Sequence, residues 1–542
     1  MRWTVQQVAG ALGVAAPAGL DPVARLAGVS IDSRTVGAGE LFIAIHGPRH
    51  DGHAFVGAAL GRGAVAAVVA RARLVEYAEP IRAKLFSAEE PLAALHSLAR
   101  AVRKEWRVAN AGHRLAGVTG SAGKTTTKEI LAALLGTKFR VLKNEGNLNN
   151  EYGAPLTLLR LEENHEAAVL ELGMSHRGEI ARLARITEPE IGVVTCVAPV
   201  HLEFFVTVEE ISLAKRELIE NLAGPAPVAV LNADDARVMR FADGFRGKVL
   251  TFGFGADADF CAVNIEDRGA EGIAFDFVVR GETKHAGLKP GATGVRLELP
   301  LAGRHNVMNA LAALAAASEW GIGAEEAKKV FSTLTPAAMR GEVLKFQSGF
   351  TVINDSYNSN PAALASMAGL LAATRGYRRR ILAAGEMLEL GADAPRLHRE
   401  AGALAASEGI DWIFGVQGMA KEIVRGAEEQ LRSFAPAKSA GTQDDSVFVG
   451  GAQDNSAKGS GAKNDKRVGG GTRFFETSDE AATFLSEFIE PGDLLLVKGS
   501  RGVRMERIVE ALCAKYALVA EKPAQGKDEI LRSAQDDREG RG

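Results

Sequence analysis

The sequence predicts an α/β protein with several domains. The chain has 542 residues, and a single hydrophobic core stops growing at roughly 250–300 residues, so two or three domains are expected. Short apolar runs alternate with helix-type patterns from residue 115 to residue 232, and a second alternation of this kind begins near residue 335. Such alternation is typical of parallel sheets that are covered by helices.

The first predicted domain is small and covers residues 1–86. Apolar runs at residues 41–45 and 64–70 are separated by glycine-rich turns, which indicates short buried strands. Apolar residues at helical spacing then predict a helix over residues 91–108. This helix lies in the second predicted domain, which covers residues 87–335.

The second domain contains the clearest alternation of strand and helix patterns. Its buried strands are predicted at residues 115–119, 167–172, 191–197 and 228–231, and a glycine-rich turn after the first of them leads into a helix that ends at residue 135. Strands that alternate with helices in this way usually pair in parallel. We therefore expect an open parallel sheet.

The third predicted domain covers residues 336–520 and repeats the pattern. Asn360 followed by Pro361 is a cap and first-turn signal, so a helix is predicted from there to residue 374. The expected strands lie at residues 351–354, 380–384, 412–416 and 494–497. They predict a second open α/β sheet.

Two segments depart from this pattern. Residues 431–472 are rich in Gly, Ser, Ala, Lys and Asp, and residues 521–542 have a similar composition. Such segments cannot bury enough apolar surface to fold, so we expect a disordered insertion within the third domain and a disordered tail. An interaction arm is the alternative, but nothing in the composition favours it.

Composition and charge exclude several functions. The net charge of −3 argues against a general nucleic-acid binder, which needs a basic excess. No apolar run reaches the roughly 20 residues that a membrane helix requires, so no membrane insertion is expected. The three cysteines are scattered and lack metal-ligand spacing, which is typical of a reducing compartment, so a cytoplasmic protein is expected.

A phosphate-binding loop is the strongest local signal. Residues 117–126 follow a predicted strand, open a predicted helix and contain the pattern Gly-x-x-Gly-Lys-Thr. Glycines let backbone N–H groups approach phosphate oxygens, and the helix N-terminus adds positive charge. Lys124 would then reach the β- and γ-phosphates, and the Thr125 hydroxyl would hold Mg²⁺. The alternative is a glycine-rich turn with a solvated lysine.

Three further polar residues are candidates for the same site. Glu171 ends the second buried strand, where ligands bind in open α/β sheets, and a carboxylate there suits Mg²⁺. His201 follows the next strand, but a lone histidine is more often structural than a ligand. Lys215 lies with Leu213 and Leu218 on a predicted helix, and a solvated helix face is the alternative.

The order of these motifs resembles that of the Mur ligase family over nearly the full length, without the insertion and the tail. The similar segments lie at residues 119–126, 171–174, 201–203, 214–217, 232–235 and 303–310. Within the family, segments at residues 147–155, 354–361, 385–391 and 498–501 are similar to the enzymes that add D-alanyl-D-alanine to UDP-N-acetylmuramoyl-tripeptide. Turns at residues 32–34 and 47–55 resemble the family's UDP-binding domain.

The resemblance implies a ligase that uses ATP and Mg²⁺ to phosphorylate a carboxylate and then forms an amide bond. It implies a small N-terminal UDP-binding α/β domain, a central P-loop ATPase-like parallel sheet and a C-terminal Rossmann-like α/β domain. The implied substrates are UDP-N-acetylmuramoyl-tripeptide and D-alanyl-D-alanine, and we expect a monomer.

Two other functions are alternatives. The first is another amide ligase of the family, either tripeptide-forming or folylpolyglutamate-type. The sequence lacks the Asp-Asn-Pro-Arg segment of the relative that adds diaminopimelate or lysine, and the UDP-type first domain disfavours a folylpolyglutamate-type enzyme. The second is a nucleotide-binding protein without catalytic activity, which the intact motif residues disfavour.

The resemblance also assigns roles to individual residues. The implied catalytic residues are Lys124, Glu171, His201 and Lys215. The implied metal ligands are Thr125, Glu171, His201 and Lys215, the last as a carbamate because an ammonium cannot bind a cation. The implied nucleotide-binding residues are Thr119, Gly120, Ser121, Ala122, Gly123, Lys124, Thr125, Thr126, Asn147, Asn306, Asn309, Arg340 and Asp355. The implied substrate-binding residues are Ser33, Arg34, Gly47, Asp51, His53, Asn149, Asn358, Lys498, Ser500 and Arg501.

Some of these roles are more specific. By the same resemblance, Asn309 is expected to face adenine, Asp355 the ribose and Arg340 the γ-phosphate. Arg501 is expected to clamp a carboxylate, since its planar guanidinium matches that anion. Three positions differ from the residues that the family often has, namely Cys196, Arg216 and Glu386.

Overall fold

The computed structural model describes residues 3–47, 50–110, 112–200, 202–255, 257–280, 294–434 and 470–519. Three sheets organise these residues, and helices pack against each of them. The predicted α/β class is confirmed.

The N-terminal region folds around a small parallel sheet. Its elements are α1 (Val5–Leu12), β1 (Gly28–Ser30), β2 (Glu40–Ile43), α2 (Val56–Arg62), β3 (Ala66–Ala70) and β4 (Leu85–Ala88). The strands pair in the order β1-β2-β3-β4, all in parallel. Side chains of a strand alternate between faces, so Leu41 and Ile43 join one hydrophobic cluster and Phe42 joins another.

The central region contains the longest sheet. Its first elements are α3 (Pro91–Ala109), β5 (Arg114–Thr119), α4 (Lys124–Leu135), β6 (Val141–Lys143), α5 (Gly153–Leu158), β7 (Ala167–Glu171), α6 (Glu179–Thr187), β8 (Ile191–Val194) and α7 (Val208–Glu220). The remaining ones are β9 (Val228–Asn232), α8 (Ala236–Met239), β10 (Lys248–Gly253), β11 (Phe260–Asp267), β12 (Ile273–Val279), β13 (Val295–Leu299), α9 (Arg304–Ala317) and α10 (Ala324–Phe331). The strand order is β13-β12-β11-β10-β9-β8-β5-β7-β6.

The strands of this sheet from β11 to β6 pair in parallel, whereas β12 is antiparallel to both β11 and β13. This antiparallel edge was not predicted, because the expected strands are continuous apolar runs. In β13, by contrast, Arg296 and Glu298 alternate with the buried Leu297 and Leu299. Such alternation is typical of antiparallel strands with one solvated face.

The C-terminal region forms a second open sheet. Its elements are β14 (Glu342–Lys345), β15 (Thr351–Asp355), α11 (Pro361–Ala373), β16 (Arg379–Gly385), α12 (Ala394–Ser407), β17 (Trp412–Val416), α13 (Ala420–Phe434), β18 (Gly471–Phe475), α14 (Ser478–Phe488), β19 (Asp493–Lys498) and α15 (Glu506–Lys515). The order is β14-β15-β19-β16-β17-β18, and only the β14–β15 pair is antiparallel within the described residues.

The ends of the predicted disordered insertion belong to regular elements. Helix α13 continues through residue 434 because Ile423 and Ala427 anchor it in the core, and β18 starts by pairing Gly471 with Trp412. The prediction of disorder over residues 431–472 is therefore wrong at both ends. Residues 435–469 and the predicted tail, 521–542, lie outside the described residues.

The three sheets are connected by packed helices and by direct contacts. Helix α3 shares one hydrophobic cluster with the first sheet and with one face of the central sheet. The C-terminal region contacts the central region through a 3.0 Å hydrogen bond between Ser366 Oγ and His305 Nδ1, and through Glu203 N–H, which donates to Glu389 O at 3.2 Å. Within the described ranges, no helix combines the length and apolar character needed to cross a membrane.

Candidate functional site

The phosphate-loop residues form a tight turn between β5 and α4. Gly123 precedes the helix with a φ of +80°, and a Cβ atom there would collide with Asn309 Oδ1. Gly120 has a φ of +150°, and a Cβ atom there would collide with Thr195 Oγ1. Only glycine fits both positions without strain. The loop backbone therefore lies directly against α9 and against the residue that follows β8.

Side-chain hydrogen bonds fix the loop to neighbouring strands. Thr119 Oγ1 donates to Leu172 O at 2.9 Å, and Ser121 Oγ accepts from Ala198 N–H at 2.8 Å. The carbonyl of Ala122 accepts a 2.5 Å hydrogen bond from Thr195 Oγ1. These bonds leave the first backbone N–H groups of α4 at the carboxyl edge of the sheet, where a helix N-terminus favours an anion.

Lys124 is the first residue of α4 and turns back over the loop. Its Nζ atom donates to Gly120 O at 2.9 Å. Burial lowers the pKa of Lys124 below its usual value; the carboxylate of Glu171 opposes this shift, and the charge of Arg340 adds to it. The loop therefore brings Lys124 near Glu171 of the central sheet and near Arg340 of the C-terminal region.

Glu171 is buried at the end of β7, and both carboxylate oxygens are oriented. Thr125 Oγ1 donates to Oε2 at 2.6 Å, and Asn149 Nδ2 donates to Oε1 at 2.8 Å. The hydroxyl and the carboxylate that were predicted to hold Mg²⁺ thus lie in direct contact. Asn147, from the same loop as Asn149, is exposed.

Lys215 lies on α7 with only 2% of its surface exposed. Burial lowers its pKa to about 7, and the charge of Lys124 contributes to this shift. Its Nζ atom has no hydrogen bond or ion pair with any residue in the described ranges. An ammonium without a partner is costly to bury, so the site favours a neutral amine or a modified lysine. His201, which was predicted to act beside it, lies outside the described residues.

These oxygen donors fit a magnesium site. Mg²⁺ prefers hard oxygen ligands and keeps several waters, so a hydroxyl, one carboxylate and a carbamate suffice from the protein. The described residues contain no group of three or more His, Cys, Asp or Glu side chains that could hold a metal ion. Thr125, Glu171 and a modified Lys215 would supply the oxygen ligands that suit Mg²⁺.

The predicted adenine-side residues lie at the start of α9. Asn309 Nδ2 donates to Asn306 Oδ1 at 3.0 Å, and Asn306 Nδ2 donates to Ala302 O at 2.8 Å. Thr127 Oγ1 of α4 donates to Asn309 Oδ1 at 3.4 Å. The two asparagines therefore join the helix of the phosphate loop to α9, and Thr126 lies half-buried beside them on α4.

The C-terminal region contributes a second set of predicted residues. Lys498 Nζ donates to Asp355 Oδ2 at 2.6 Å and to Asn358 O at 2.9 Å. Ser500 is buried, and its hydroxyl accepts from Leu388 N–H at 2.9 Å. These contacts order the loops after β15, β16 and β19 at one edge of the sheet.

Two arginines of the C-terminal region are held in different ways. The guanidinium of Arg340 stacks 4.1 Å above the ring of Tyr357. Arg501 is exposed, and its Nη1 atom donates to Glu506 Oε1 at 2.9 Å. The predicted carboxylate clamp thus already contacts a carboxylate of its own chain.

The residues that were predicted to bind the uridine diphosphate are not all exposed to solvent. His53 is buried; its Nε2 atom accepts from Ala70 N–H at 2.9 Å, and its Nδ1 atom lies 2.7 Å from Asp51 Oδ1. Burial alone would raise the pKa of Asp51, but hydrogen bonds from His53 and Arg73 outweigh it and lower that pKa. Both ring nitrogens of His53 are therefore engaged within the first domain. Gly47 is half-buried and donates to His50 O at 2.9 Å.

A cleft lies beside the other residues that were predicted to bind the uridine diphosphate. Hydrogen bonds from Arg34 lower the pKa of Asp32 to about 2, and Arg34 itself is exposed. Asp32 lines a cavity of about 640 Å³, whose opposite wall includes Arg140 and Arg160 of the central region. Ser33 follows Asp32 and is half-buried. Ser33 and Arg34 thus adjoin Asp32, which lines the cleft, whereas His53 is buried.

Sequence reasoning missed several residues that shape the site. Asn144 bonds to the backbone of Glu171, Thr195 holds the phosphate loop, and Tyr357 supports Arg340. Thr195 lies in the predicted strand at residues 191–197, and that position was the available signal, whereas Asn144 follows β6, a strand that was not predicted. Tyr357 lies inside a segment that was already recognised as similar to the family.

Known proteins share this arrangement. The profile of the Mur ligase middle domain matches residues 118–317, that of the Mur ligase glutamate ligase domain matches residues 339–501, and that of the Mur ligase family catalytic domain matches residues 25–104. The three matched domains, one in each α/β region, define a multidomain ligase. The chain belongs to the Mur ligase family, which confirms the family predicted from the motifs.

Individual relatives are similar over nearly the whole chain. The Bacillus subtilis UDP-N-acetylmuramoyl-tripeptide–D-alanyl-D-alanine ligase is 33% identical over 485 residues, which cover 90% of this chain and 93% of the relative. A crystal structure of MurF from Acinetobacter baumannii superposes with a TM-score of 0.76 at 26% identity, covering 95% of this chain and 99% of that one. The MurF ligase of Thermotoga maritima in complex with ADP gives a TM-score of 0.70 at 26% identity, covering 90% and 97%.

Proposed function

We propose that this protein is an ATP-dependent ligase that joins D-alanyl-D-alanine to UDP-N-acetylmuramoyl-tripeptide. One observation carries the proposal: Lys124, Thr125 and Glu171 converge at the carboxyl edge of the central sheet. Full-length similarity to ligases with this activity supports the choice of substrates.

The reaction must bring two anions together. The carboxylate of the tripeptide attacks the γ-phosphorus of ATP, the bond to ADP breaks, and an acyl phosphate forms. At 4 Å, two unit charges repel by roughly 4 kcal/mol at an effective dielectric of 20. The ammonium of Lys124 and the guanidinium of Arg340 offset this repulsion, and phosphoryl transfer depends mainly on such positioning and charge.

The second step forms the amide bond. The free amine of D-alanyl-D-alanine attacks the acyl carbon, a tetrahedral intermediate collapses, and inorganic phosphate leaves while the nitrogen loses a proton. We assign Arg501 to the carboxylate of the dipeptide, with Asn358 and Lys498 nearby. Arg501 donates a hydrogen bond to Glu506, so the dipeptide carboxylate would exchange with a carboxylate of similar geometry.

We assign the metal site to Thr125, Glu171, His201 and Lys215, with Lys215 as a carbamate. Bound Mg²⁺ would neutralise charge on the phosphates and would orient them. The amine of Lys215 is buried and has no partner among the described residues, which supports the modification, because a neutral amine can add to CO₂ while an ammonium cannot. The resulting carbamate supplies an anionic oxygen.

We assign the nucleotide to the phosphate loop and to α9, with Asn309 towards adenine and Asp355 towards the ribose. The uridine diphosphate is assigned to the cleft beside Ser33 and Arg34. His53 and Asp51 would then stabilise the first domain, since their hydrogen bonds are made within that domain. We propose a cytoplasmic enzyme, and we expect it to act as a monomer.

A substrate-dependent assay tests the function. ADP and phosphate should be released with Mg²⁺, UDP-N-acetylmuramoyl-tripeptide and D-alanyl-D-alanine together, and mass spectrometry should show the pentapeptide product. Omission of the dipeptide should prevent product formation. Lys124→Met should abolish both signals while the protein stays folded.

The same assay separates the alternatives. A tripeptide-forming relative would turn over UDP-N-acetylmuramoyl-dipeptide with diaminopimelate or lysine, and a folylpolyglutamate-type enzyme would require a folate and glutamate. A nucleotide-binding protein without catalytic activity would release no ADP with any pair. Turnover with one of these other pairs, or with none, would refute the proposed function.

A further inference from the structure

Lys128 is a buried cation to which the proposed function gives no role. It lies on α4, one turn after Lys124, and its side chain is fully buried. Its Nζ atom donates to Asn144 O at 2.6 Å and lies 2.9 Å from Glu129 Oε1. Glu129 is only partly buried and also pairs with Lys143, so the ion pair does not by itself account for a fully buried lysine.

Asn144 connects Lys128 to the end of β7. Its side-chain oxygen accepts from Glu171 N–H at 2.9 Å, and its Nδ2 atom donates to Glu171 O at 3.0 Å. The pairing of β6 with β7 ends where Lys143 lies opposite Val169. The Asn144 side chain therefore continues the pairing at the point where the backbone of β6 leaves the sheet.

The same loop orients the carboxylate of Glu171. Asn144 Nδ2 also donates to Leu148 O at 2.8 Å, and the next residue, Asn149, donates to Glu171 Oε1 at 2.8 Å. The other carboxylate oxygen accepts from Thr125, which precedes Lys128 by three residues on α4. Lys128 thus joins the helix that carries Thr125 to the loop that carries Asn149.

We propose that Lys128 and Asn144 are positioning residues that hold Glu171 in the orientation required for a divalent cation beside the nucleotide. The inference rests on the proposed function, in which Thr125 and Glu171 bind Mg²⁺. Neither residue touches the metal in this assignment. Loss of such an outer partner typically weakens metal affinity by about 10–100-fold.

Mn²⁺ binding measured on the full-length protein tests the inference without turnover. Free Mn²⁺ is followed by electron paramagnetic resonance during titration in the presence of saturating ADP. Lys128→Met keeps the length of the side chain and removes the charge and the donor. We expect about 10–100-fold weaker Mn²⁺ binding, with ADP binding in the absence of metal changed by less than about twofold.

Lys143→Met is the matched control. Lys143 also pairs with Glu129, but it is partly exposed and contacts neither Asn144 nor Glu171 through its ammonium. Its Mn²⁺ affinity should equal that of the wild type. In the ligase assay, Lys128→Met should raise the Mg²⁺ concentration for half-maximal rate and should recover most of the rate at saturating Mg²⁺, which a general loss of structure would not do.

The outcomes are distinct. A folded Lys128→Met variant with wild-type Mn²⁺ affinity overturns the inference. If Lys128→Met does not fold, Asn144→Ala must show the same loss of Mn²⁺ affinity. If Asn144→Ala binds Mn²⁺ with unchanged affinity, or also fails to fold, Lys128 and Asn144 have a purely structural role and the inference is overturned. If the wild type with ADP binds no Mn²⁺, the proposed metal site itself is wrong, and the inference falls with it.

Discussion

Lys498 Nζ donates a 2.6 Å hydrogen bond to Asp355 Oδ2, although the family resemblance assigns these residues to different ligands. The two residues lie opposite each other at the carboxyl ends of β19 and β15, which are parallel neighbours in the sheet. Lys498 is buried, so Asp355 is the partner that compensates its charge. The pair therefore couples the expected ribose contact to the expected dipeptide contact.

Asp355→Asn should destabilise the C-terminal region. The substitution conserves shape but leaves the Lys498 ammonium buried without a carboxylate, which costs about 3–5 kcal/mol. Urea unfolding followed by circular dichroism measures the change. Asp479→Asn is the control, because Asp479 forms an exposed ion pair with Arg507 that is worth less than about 1 kcal/mol. Equal losses of unfolding free energy in the two variants would show that the buried pair stabilises the protein no more than the exposed pair does.

The sequence predicts much of this region but not the pair itself. The apolar runs of β15 and β19 are visible as strands, and parallel strands align their carboxyl ends. The order of the strands, however, places β19 between β15 and β16, and no local pattern reveals that choice. A contact between residues that are 143 positions apart follows only from the completed sheet.

The central site was likewise predicted only in part from the sequence. Lys124, Thr125 and Glu171 were predicted from one glycine-rich turn and one strand end, and the structure brings them together. Asn144 was missed because a side chain that replaces backbone pairing has no sequence pattern of its own. His53 lies in a recognised segment, yet only the fold shows that it is buried with both ring nitrogens engaged.

Glu171→Gln should impair catalysis while the fold is retained. The amide keeps the shape of the side chain but removes the negative charge that we assign to the metal. Removal of one preorganised electrostatic contact typically lowers turnover by about 10²–10³-fold. ADP release at several Mg²⁺ concentrations measures the effect.

Glu166→Gln provides the comparison for this variant. Glu166 lies just before β7, at the opposite edge of the sheet, where its carboxylate accepts from Arg140 N–H at 3.2 Å. Its turnover should stay within about twofold of the wild type, since surface substitutions have small effects. Full activity in Glu171→Gln would remove Glu171 from the catalytic site.

Gly123→Ala should abolish nucleotide binding. The added methyl group would meet Asn309 Oδ1, and alanine disfavours the φ of +80° at this position, so the loop must shift away from α9. Calorimetric titration should show at least a tenfold loss of affinity for ADP. The midpoint temperature of thermal unfolding should show a smaller relative change. Gly369→Ala on α11 has no neighbour within 4 Å of the added atom and should bind ADP normally. Normal ADP binding by Gly123→Ala would contradict the tight packing of the loop.

The stability of carbamate-free protein should depend on Lys215 over a defined pH range. Burial and the charge of Lys124 lower the pKa of Lys215 to about 7, whereas the value in the unfolded chain is 10.5. Between these values the unfolded state binds the additional proton, so the free energy of unfolding rises with pH, by up to about 5 kcal/mol in total. In CO₂-free buffer, Lys215→Met should flatten the dependence between pH 7 and 10.

The same shift controls carbamate formation. Above pH 7 the amine is largely neutral and can add to CO₂ with loss of a proton, while below it the ammonium predominates and cannot react. Protein equilibrated with ¹³C-bicarbonate should therefore show a carbamate signal in ¹³C NMR at pH 8 that weakens at pH 6. Lys215→Met should lack the signal, and Lys345→Met, which removes an exposed lysine, should retain it. A signal that persists in Lys215→Met would place the carbamate on another amine and leave the buried lysine without the modification that its environment favours.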